Sequence, residues 1–288
     1  MVGPIRSLLF VPGTRPDRFG KAMSSGADAV AFDLEDSVEA GQKEKARTLI
    51  AEFLSQPSPS EVMRLVRFNA VETAHGQADL EFFRDLTGFD GVLLPKVETP
   101  GMLEAVSRIF ASRQRPSGVP PLLPLLESPR AVLRAVEIAS ADAFVAALLF
   151  GAEDLTAQLA VPRTIDGEEL LFPRAQIALA AAATGADAID AVFINLDDLT
   201  ALERDCERAR ALGFRGKMAI HPRQVPVINE AFTPSTADVE RARRLIDAYE
   251  AARAAGEGVT RLDGQMLELP IVERARRTVA LAARYADR

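Results

Sequence analysis

Residues 28–56, DAVAFDLEDSVEAGQKEKARTLIAEFLSQ, hold one complete strand, loop and helix. Residues 29–32 form an apolar run of strand length, and the continuation carries Asp33, Glu35 and Asp36 within four positions. From residue 41 the pattern becomes that of an amphipathic helix. The same unit recurs along the chain. Expected strands flank DAVAFDLED (28–36): SLLFVPG (7–13), MRLVRFN (63–69), DGVLLPKVE (90–98), PLLPLLES (121–128), AFVAALLFG (143–151), DAVFINL (190–196) and GKMAIHP (216–222). Helical patterns separate them: HGQADLEFFRDLTG, PGMLEAVSRIFASR, SPRAVLRAVEIAS, PRAQIALAAAATG and DDLTALERDCERARALGF. Eight alternations in roughly 220 residues predict an α/β fold, a (β/α)8 TIM barrel. A doubly wound open sheet is the alternative, but no Gly-x-Gly-x-x-Gly or Walker-type loop supports it. The barrel is expected over 1–232. A C-terminal helical extension, 233–288, follows as STADVERARRLIDAYEAARAAG, a turn-rich loop EGVTRLDGQMLELP, and a second helix.

Composition limits the partners. The chain has 288 residues, and its formal net charge of −7 argues against nucleic acid and anionic membrane. No apolar run approaches the ~18 residues of a membrane span, and the start, MVGPIRSLLFVPG, is too short and strand-like for a signal peptide. The single cysteine, Cys206, rules out an intrachain disulfide, so a cytoplasmic location is expected. Only two histidines are present, so a His- or Cys-based zinc site is not expected, and any bound metal should be a hard, oxygen-seeking cation.

A barrel concentrates its chemistry where strands end. Asp33, Glu35 and Asp36 end the second strand, Arg67 and Asn69 the third, Lys96 and Glu98 the fourth, and Glu127 the fifth. Glu153 and Asp154 follow the sixth strand, Asn195 lies in the seventh, and His221 lies in the eighth. Like charges crowded at a core strand end repel and desolvate one another unless a cation faces them. Carboxylates from three strands can surround one metal ion, with Arg67 and Lys96 left for an anionic substrate. Structural readings stand beside these. Asp36, Asp154 or Asp197 can cap a helix. Glu127 can form an ion pair, Arg67 can pair with an internal carboxylate, and His221 can be a satisfied structural histidine. Cys206 reads as a helix residue without chemistry.

The stretch RSLLFVPGTRPDRFGKAMSSGADAVAFDLEDSV (6–38), with LVRFN, LPKVE, LLPLLESPRAV, LLFGAEDL, KMAIHPRQV and GQMLELP, resembles the citrate lyase β-subunit-like enzymes of the HpcH/HpaI aldolase superfamily. The resemblance covers nearly the whole chain. It implies a Mg²⁺-dependent barrel that makes or breaks a carbon–carbon bond in a 3-hydroxyacyl-CoA thioester such as citryl-, malyl- or citramalyl-CoA. The products are an acyl-CoA and an α-keto acid: oxaloacetate, glyoxylate or pyruvate. It also implies a homotrimer or hexamer whose C-terminal segment reaches a neighbouring subunit's site. Carried over by motif, Glu127 and Asp154 become metal ligands, and Glu35 and Asp36 become acceptors for metal-bound waters. Arg67 becomes the clamp on the keto-acid carboxylate. The amides around Gly151 and Ala152 become an anion site, and Arg15 and Lys21 become contacts to the CoA phosphates. Glu268 stands where malyl-type relatives carry the tail aspartate, as an acid/base one methylene longer. A thioesterase or malate-synthase-like enzyme on the same scaffold, or a non-catalytic CoA- or acyl-carrier-binding subunit of a larger complex, are the alternatives.

Overall fold

The computed structural model describes residues 3–58, 61–111, 118–256 and 260–286, and the chain divides into two compact units, residues 1–232 and 233–288. In the first unit eight parallel strands close in sequence order: β1 (Ser7–Pro12), β2 (Ala29–Asp33), β3 (Met63–Arg67), β4 (Gly91–Leu94), β5 (Leu122–Leu126), β6 (Ala147–Phe150), β7 (Asp187–Asp190) and β8 (Gly216–Ala219). Closure is made by Ser7 pairing with Lys217 and Leu9 with Ala219, so the open sheet is excluded. The strands read as unbroken apolar runs because both faces are buried. Leu8, Ala31, Leu65, Leu93, Leu123 and Leu149 fill the interior, while Leu9, Val30, Phe32, Val66 and Phe150 face the helices.

The helices return the chain outside the sheet. They are α1 (Pro16–Met23), α2 (Lys43–Leu54), α3 (Ala74–Phe83), α4 (Pro100–Ala111), α5 (Pro129–Leu133), α6 (Ala135–Ala139), α7 (Ala152–Leu159), α8 (Leu171–Thr184), α9 (Leu199–Leu212) and α10 (Val225–Phe232). Their starts follow the sequence: Pro16 and Pro129 open α1 and α5, and Ser128 and Asp198 cap α5 and α9 through the amides of Ala131 and Ala201.

Three expectations are corrected. The seventh strand lies at Asp187–Asp190, not at 190–196, and 191–198 is irregular. An aspartate inside a core strand reads as a boundary from sequence, yet Asp190 is fully buried because Arg174 and Lys217 neutralise it. The expected helix over SPRAVLRAVEIAS is two short helices parted at Arg134. In the tail the expected loop holds a hairpin.

That second unit consists of α11 (Thr236–Ala254), antiparallel strands β9 (Thr260–Leu262) and β10 (Gln265–Leu267), and α12 (Leu269–Ala286), with α11 packed on α12. Asp263 and Gly264, at φ 50° and 79°, make the two-residue turn, a pairing suited to the type I′ geometry that matches strand twist. No helix among the described residues is long and apolar enough to cross a membrane.

Candidate active site

Side chains alternate along each strand, so inward positions recur every second residue. On β2 the inward series 29, 31, 33 ends in Asp33, and on β3 the series 63, 65, 67 ends in Arg67. The register places these two side by side. Arg67 donates from Nε and one Nη to both oxygens of Asp33, each at 2.6 Å. Its other Nη lies 3.1 Å from Glu35 and 3.2 Å from Asp36. The guanidinium also lies 4.8 Å from the centre of the Phe10 ring. Asp33 accepts in addition from the Glu35 amide at 2.8 Å and the Ser37 hydroxyl at 2.5 Å. Burial pushes the Asp33 carboxyl up, but the Arg67 charge and hydrogen bonds outweigh it and hold it below the usual range. Asp33 thus fixes both Arg67 and the loop bearing Glu35 and Asp36.

The same loop is held from behind. The Lys43 ammonium donates to the carbonyls of Leu34 and Glu35 at 2.8 and 2.9 Å and to Asn69 Oδ1 at 2.5 Å. Asn69 is oriented in turn by Asp79, which Arg47 pairs at 2.7 Å.

Lys96 links the remaining carboxylates. It adopts a left-handed backbone, φ 55°, an arrangement that costs about 1 kcal/mol or more for a side chain with a Cβ. Its amide thereby donates to Glu127 Oε1 at 2.7 Å, and its ammonium lies 3.0 Å from Glu35. Glu127 ends β5 and is buried. Burial, then the charges of Glu35 and Asp154, push its carboxyl up to about 9. Burial pushes Glu35 up to about 7, opposed by Arg67. Glu35 lies within ion-pair reach of Arg67 and Lys96, but neither contact has hydrogen-bond geometry, so both its oxygens lack a hydrogen-bond partner.

These groups surround a cavity of about 420 Å³ at the C-terminal mouth of the barrel, lined by Asp33, Asp36, Arg67, Glu127, Gly151 and Asp154 among others. Gly151 is required there: a Cβ would lie 2.4 Å from the Glu127 Cβ and 2.7 Å from its Oε2. Among the described residues no three His, Cys, Asp or Glu side chains converge to cage a metal. Glu127 and Asp154 on one cavity, Glu35 with orphaned oxygens, and no His or Cys among the described lining residues fit a hard divalent ion that keeps waters and takes substrate oxygens. They do not fit a zinc site.

The other sequence candidates fall differently. The Gly151 amide is excluded as an anion donor, because it completes the ladder to Leu126 O at 3.0 Å; its contribution is the missing Cβ. Ala152 opens α7 on the cavity wall, in the same turn as Asp154. Arg15 is exposed and paired with Asp17 at 2.8 Å. Lys21 lies in the last turn of α1, away from its start at the barrel mouth, and neither residue lines the cavity. Glu268 belongs to the second unit, is exposed, and precedes α12, whose first amides bond to its carbonyl. His221 has a structural bond, its Nδ1 accepting from the Arg223 amide. Burial pushes the Cys206 thiol up to about 12, which leaves it inert.

Sequence reasoning missed two networks. Lys43, Asn69, Asp79 and Arg47 were scattered over two helical patterns and a strand, and only their meeting in space shows their role. Arg174, Asp190, Asp205 and Lys217 form a second, fully internal set: Arg174 holds both aspartates at 2.9 Å, and Lys217 reaches them at 2.5 and 2.6 Å.

Comparison with known proteins adds independent findings. Residues 6–222 match the HpcH/HpaI aldolase/citrate lyase family, and residues 174–286 match the C-C bond lyase family of the TIM-barrel fold. Citrate lyase subunit beta of Leuconostoc mesenteroides subsp. cremoris is 36% identical, over 96% of this chain and 93% of that protein. A (3S)-malyl-CoA thioesterase of Cereibacter sphaeroides is 35% identical, over 98% and 96%. Among solved structures, CitE from Mycobacterium tuberculosis in complex with magnesium, acetoacetate and coenzyme A superposes with a TM-score of 0.80 at 34% identity, covering 98% of both chains. The citrate lyase beta subunit of the same organism, complexed with oxaloacetate and magnesium, gives 0.68 at 36% identity, over 81% of this chain and 98% of that one.

Proposed function

The chain belongs to the HpcH/HpaI aldolase/citrate lyase family, and from that premise we propose that it is a Mg²⁺-dependent carbon–carbon lyase acting on a 3-hydroxyacyl-CoA thioester. The reaction releases an acyl-CoA and a 2-oxo acid, or joins them in reverse. The observation that carries the reading is the pairing of Glu127 with Asp154 on one cavity that Arg67 also lines. Glu127 and Asp154 would hold the ion, and Glu35 and Asp36 would accept from its waters. Bound there, Mg²⁺ supplies positive charge against the negative charge that develops on substrate oxygens.

The protein's own groups do the rest. Asp33 and Phe10 fix the guanidinium plane of Arg67, whose remaining N–H bonds take the carboxylate of the 2-oxo acid arm and set its orientation before the bond breaks. In cleavage the substrate hydroxyl passes its proton to solvent water as its oxygen becomes the 2-oxo group, the C2–C3 electron pair passes to the thioester enolate, and the enolate carbon takes up one proton in return. Glu268, supplied by a neighbouring copy in a trimer or hexamer, exchanges that proton. The left-handed Lys96 keeps Glu127 and Glu35 at fixed orientation throughout.

The test is a coupled assay over citryl-, malyl- and citramalyl-CoA, with Mg²⁺ and with EDTA, scoring 2-oxo acid and free CoA separately. Equal appearance of 2-oxo acid and acyl-CoA, lost with EDTA, is expected. Free CoA without 2-oxo acid would favour a thioesterase, the reading suggested by the malyl-CoA thioesterase relative. Absence of any turnover would favour a CoA- or acyl-carrier-binding subunit.

A further inference from the structure

This inference rests on the lyase reading above and concerns what holds Glu35 in place. On α2 the core-facing stripe runs through Lys43, Ala46, Arg47, Ile50 and Leu54, so two cations occupy positions that a helix normally gives to apolar side chains. A buried cation destabilises unless it is answered. Arg47 is answered by the Asp79 carboxylate at 2.7 Å. Lys43 is answered differently. Its three N–H donors go to three neutral oxygens, the carbonyls of Leu34 and Glu35 and the side-chain oxygen of Asn69.

The partners of Lys43 are themselves fixed. Gly76 lets the start of α3 close on the loop after β3, where a Cβ would lie 2.1 Å from the Ala70 carbonyl oxygen. Asp79, one turn further along α3, accepts from the backbone amide and from the side-chain amide of Asn69, each at 2.7 Å. Asn69 Oδ1 is thereby left to face Lys43. At the other end, two successive carbonyls converge on one ammonium, which fixes the peptide planes on both sides of the Glu35 Cα. The Glu35 amide is taken by Asp33 at 2.8 Å, and the Glu35 carbonyl also accepts from the Val38 amide at 3.1 Å. The backbone of Glu35 is thus committed at both its N–H and its C=O. Its two side-chain oxygens, buried beside Arg67 and Lys96, are the part left without a hydrogen bond. A carboxylate held this firmly and left unsatisfied calls for an added donor, and metal-bound water is one.

We propose that Lys43 is a positioning residue for the reaction: through the Leu34 and Glu35 carbonyls it fixes the Glu35 carboxylate as an acceptor for Mg²⁺-bound water, and so sets the affinity for the ion. Asn69, Asp79 and Arg47 support it in that order. Orientation of the substrate is a separate matter, because Arg67 takes its hold from Asp33 and Phe10.

The experiment is calorimetric titration of the full-length protein with MgCl2, read on folded samples because a lost buried contact lowers stability under any reading. Lys43→Met keeps the length of the side chain and removes the ammonium. It should weaken Mg²⁺ binding about tenfold or more, as loss of a group supporting a metal site does. Asn69→Ala leaves the two carbonyl contacts and should weaken binding about threefold. Glu35→Gln should cost about as much as Lys43→Met, and adding Lys43→Met to it should cost less than about twofold more. At saturating Mg²⁺ the KM for the cleaved thioester should stay within about twofold of wild type. Wild-type Mg²⁺ affinity in Lys43→Met, or in Asn69→Ala where Lys43→Met does not fold, would overturn the inference and leave the lyase reading standing. Losses that multiply in the double variant, or a KM raised beyond that range, would also overturn it, since Lys43 would then act elsewhere than through Glu35. Failure of the wild-type protein to bind Mg²⁺ would remove the lyase reading and this inference together.

Discussion

Replacing Glu127 by Gln should stabilise the metal-free protein at alkaline pH while destroying the metal site. Burial and the charges of Glu35 and Asp154 raise the Glu127 carboxyl from 4.5 to about 9. A raised acid holds its proton more firmly in the folded state. Its contribution is therefore fully present below pH 4.5 and is lost as pH rises towards 9. The full gap corresponds to ~6 kcal/mol at ~1.36 kcal/mol per unit, and relaxation and water entry around a buried charge reduce the measurable part to ~2 kcal/mol near pH 8. Gln keeps the side-chain oxygen that accepts from the Lys96 amide at 2.7 Å, so the variant removes charge and little else. Thermal melts in EDTA should show Glu127→Gln above wild type by ~5 °C at pH 8, with no difference at pH 5. Adding Mg²⁺ should reverse the order, because only the carboxylate binds the ion and gains stability by mass action. A variant no more stable than wild type at pH 8 in EDTA would refute the claim that these carboxylates stand uncompensated around the cavity.

Arg67→Lys should lower 2-oxo acid affinity at least about tenfold in titration and destabilise by ~2 kcal/mol in urea, since an ammonium replaces neither the fork on Asp33 nor the face on Phe10. Lys96→Gly should be ~1 kcal/mol more stable than Lys96→Ala by calorimetry, because both lose the ammonium and only Gly relieves the left-handed backbone; equal stabilities would contradict that backbone. Glu268→Gln mixed with Glu127→Gln should regain activity that neither has alone if Glu268 serves a neighbouring copy. No recovery, with subunit exchange confirmed, would confine Glu268 to its own chain or to no role.

The barrel was legible because each strand is an apolar run of strand length followed by helical periodicity, and strand ends mark where polar groups gather. Glu127 was visible as a lone carboxylate after PLLPLL, and Arg67 as a charge inside LVRFN, which demanded an anion. Sequence could not say which anion. Asp33 meets Arg67 only through the β2–β3 register, and nothing in either segment encodes that register alone. The displaced seventh strand has the same origin: Asp190 looked like a boundary because its partners lie 16 and 27 residues away. The left-handed turn at Lys96 was illegible because lysine carries no signature for it, unlike the Asp263–Gly264 pair in the tail.

The Arg174, Asp190, Asp205 and Lys217 set also bears on how the barrel closes. Lys217 is the only residue of the four from β8, a strand just four residues long, whose apolar neighbours alone would allow more than one alignment. A slip of one residue would turn Lys217 into the interior and Met218 outward, and Asp190 and Asp205 would lose their 2.5 and 2.6 Å contacts to its ammonium. The network therefore acts as a key for the shear of the last strand. Closure of the ring at β8 and neutralisation of Asp190 and Asp205 thus depend on one and the same alignment.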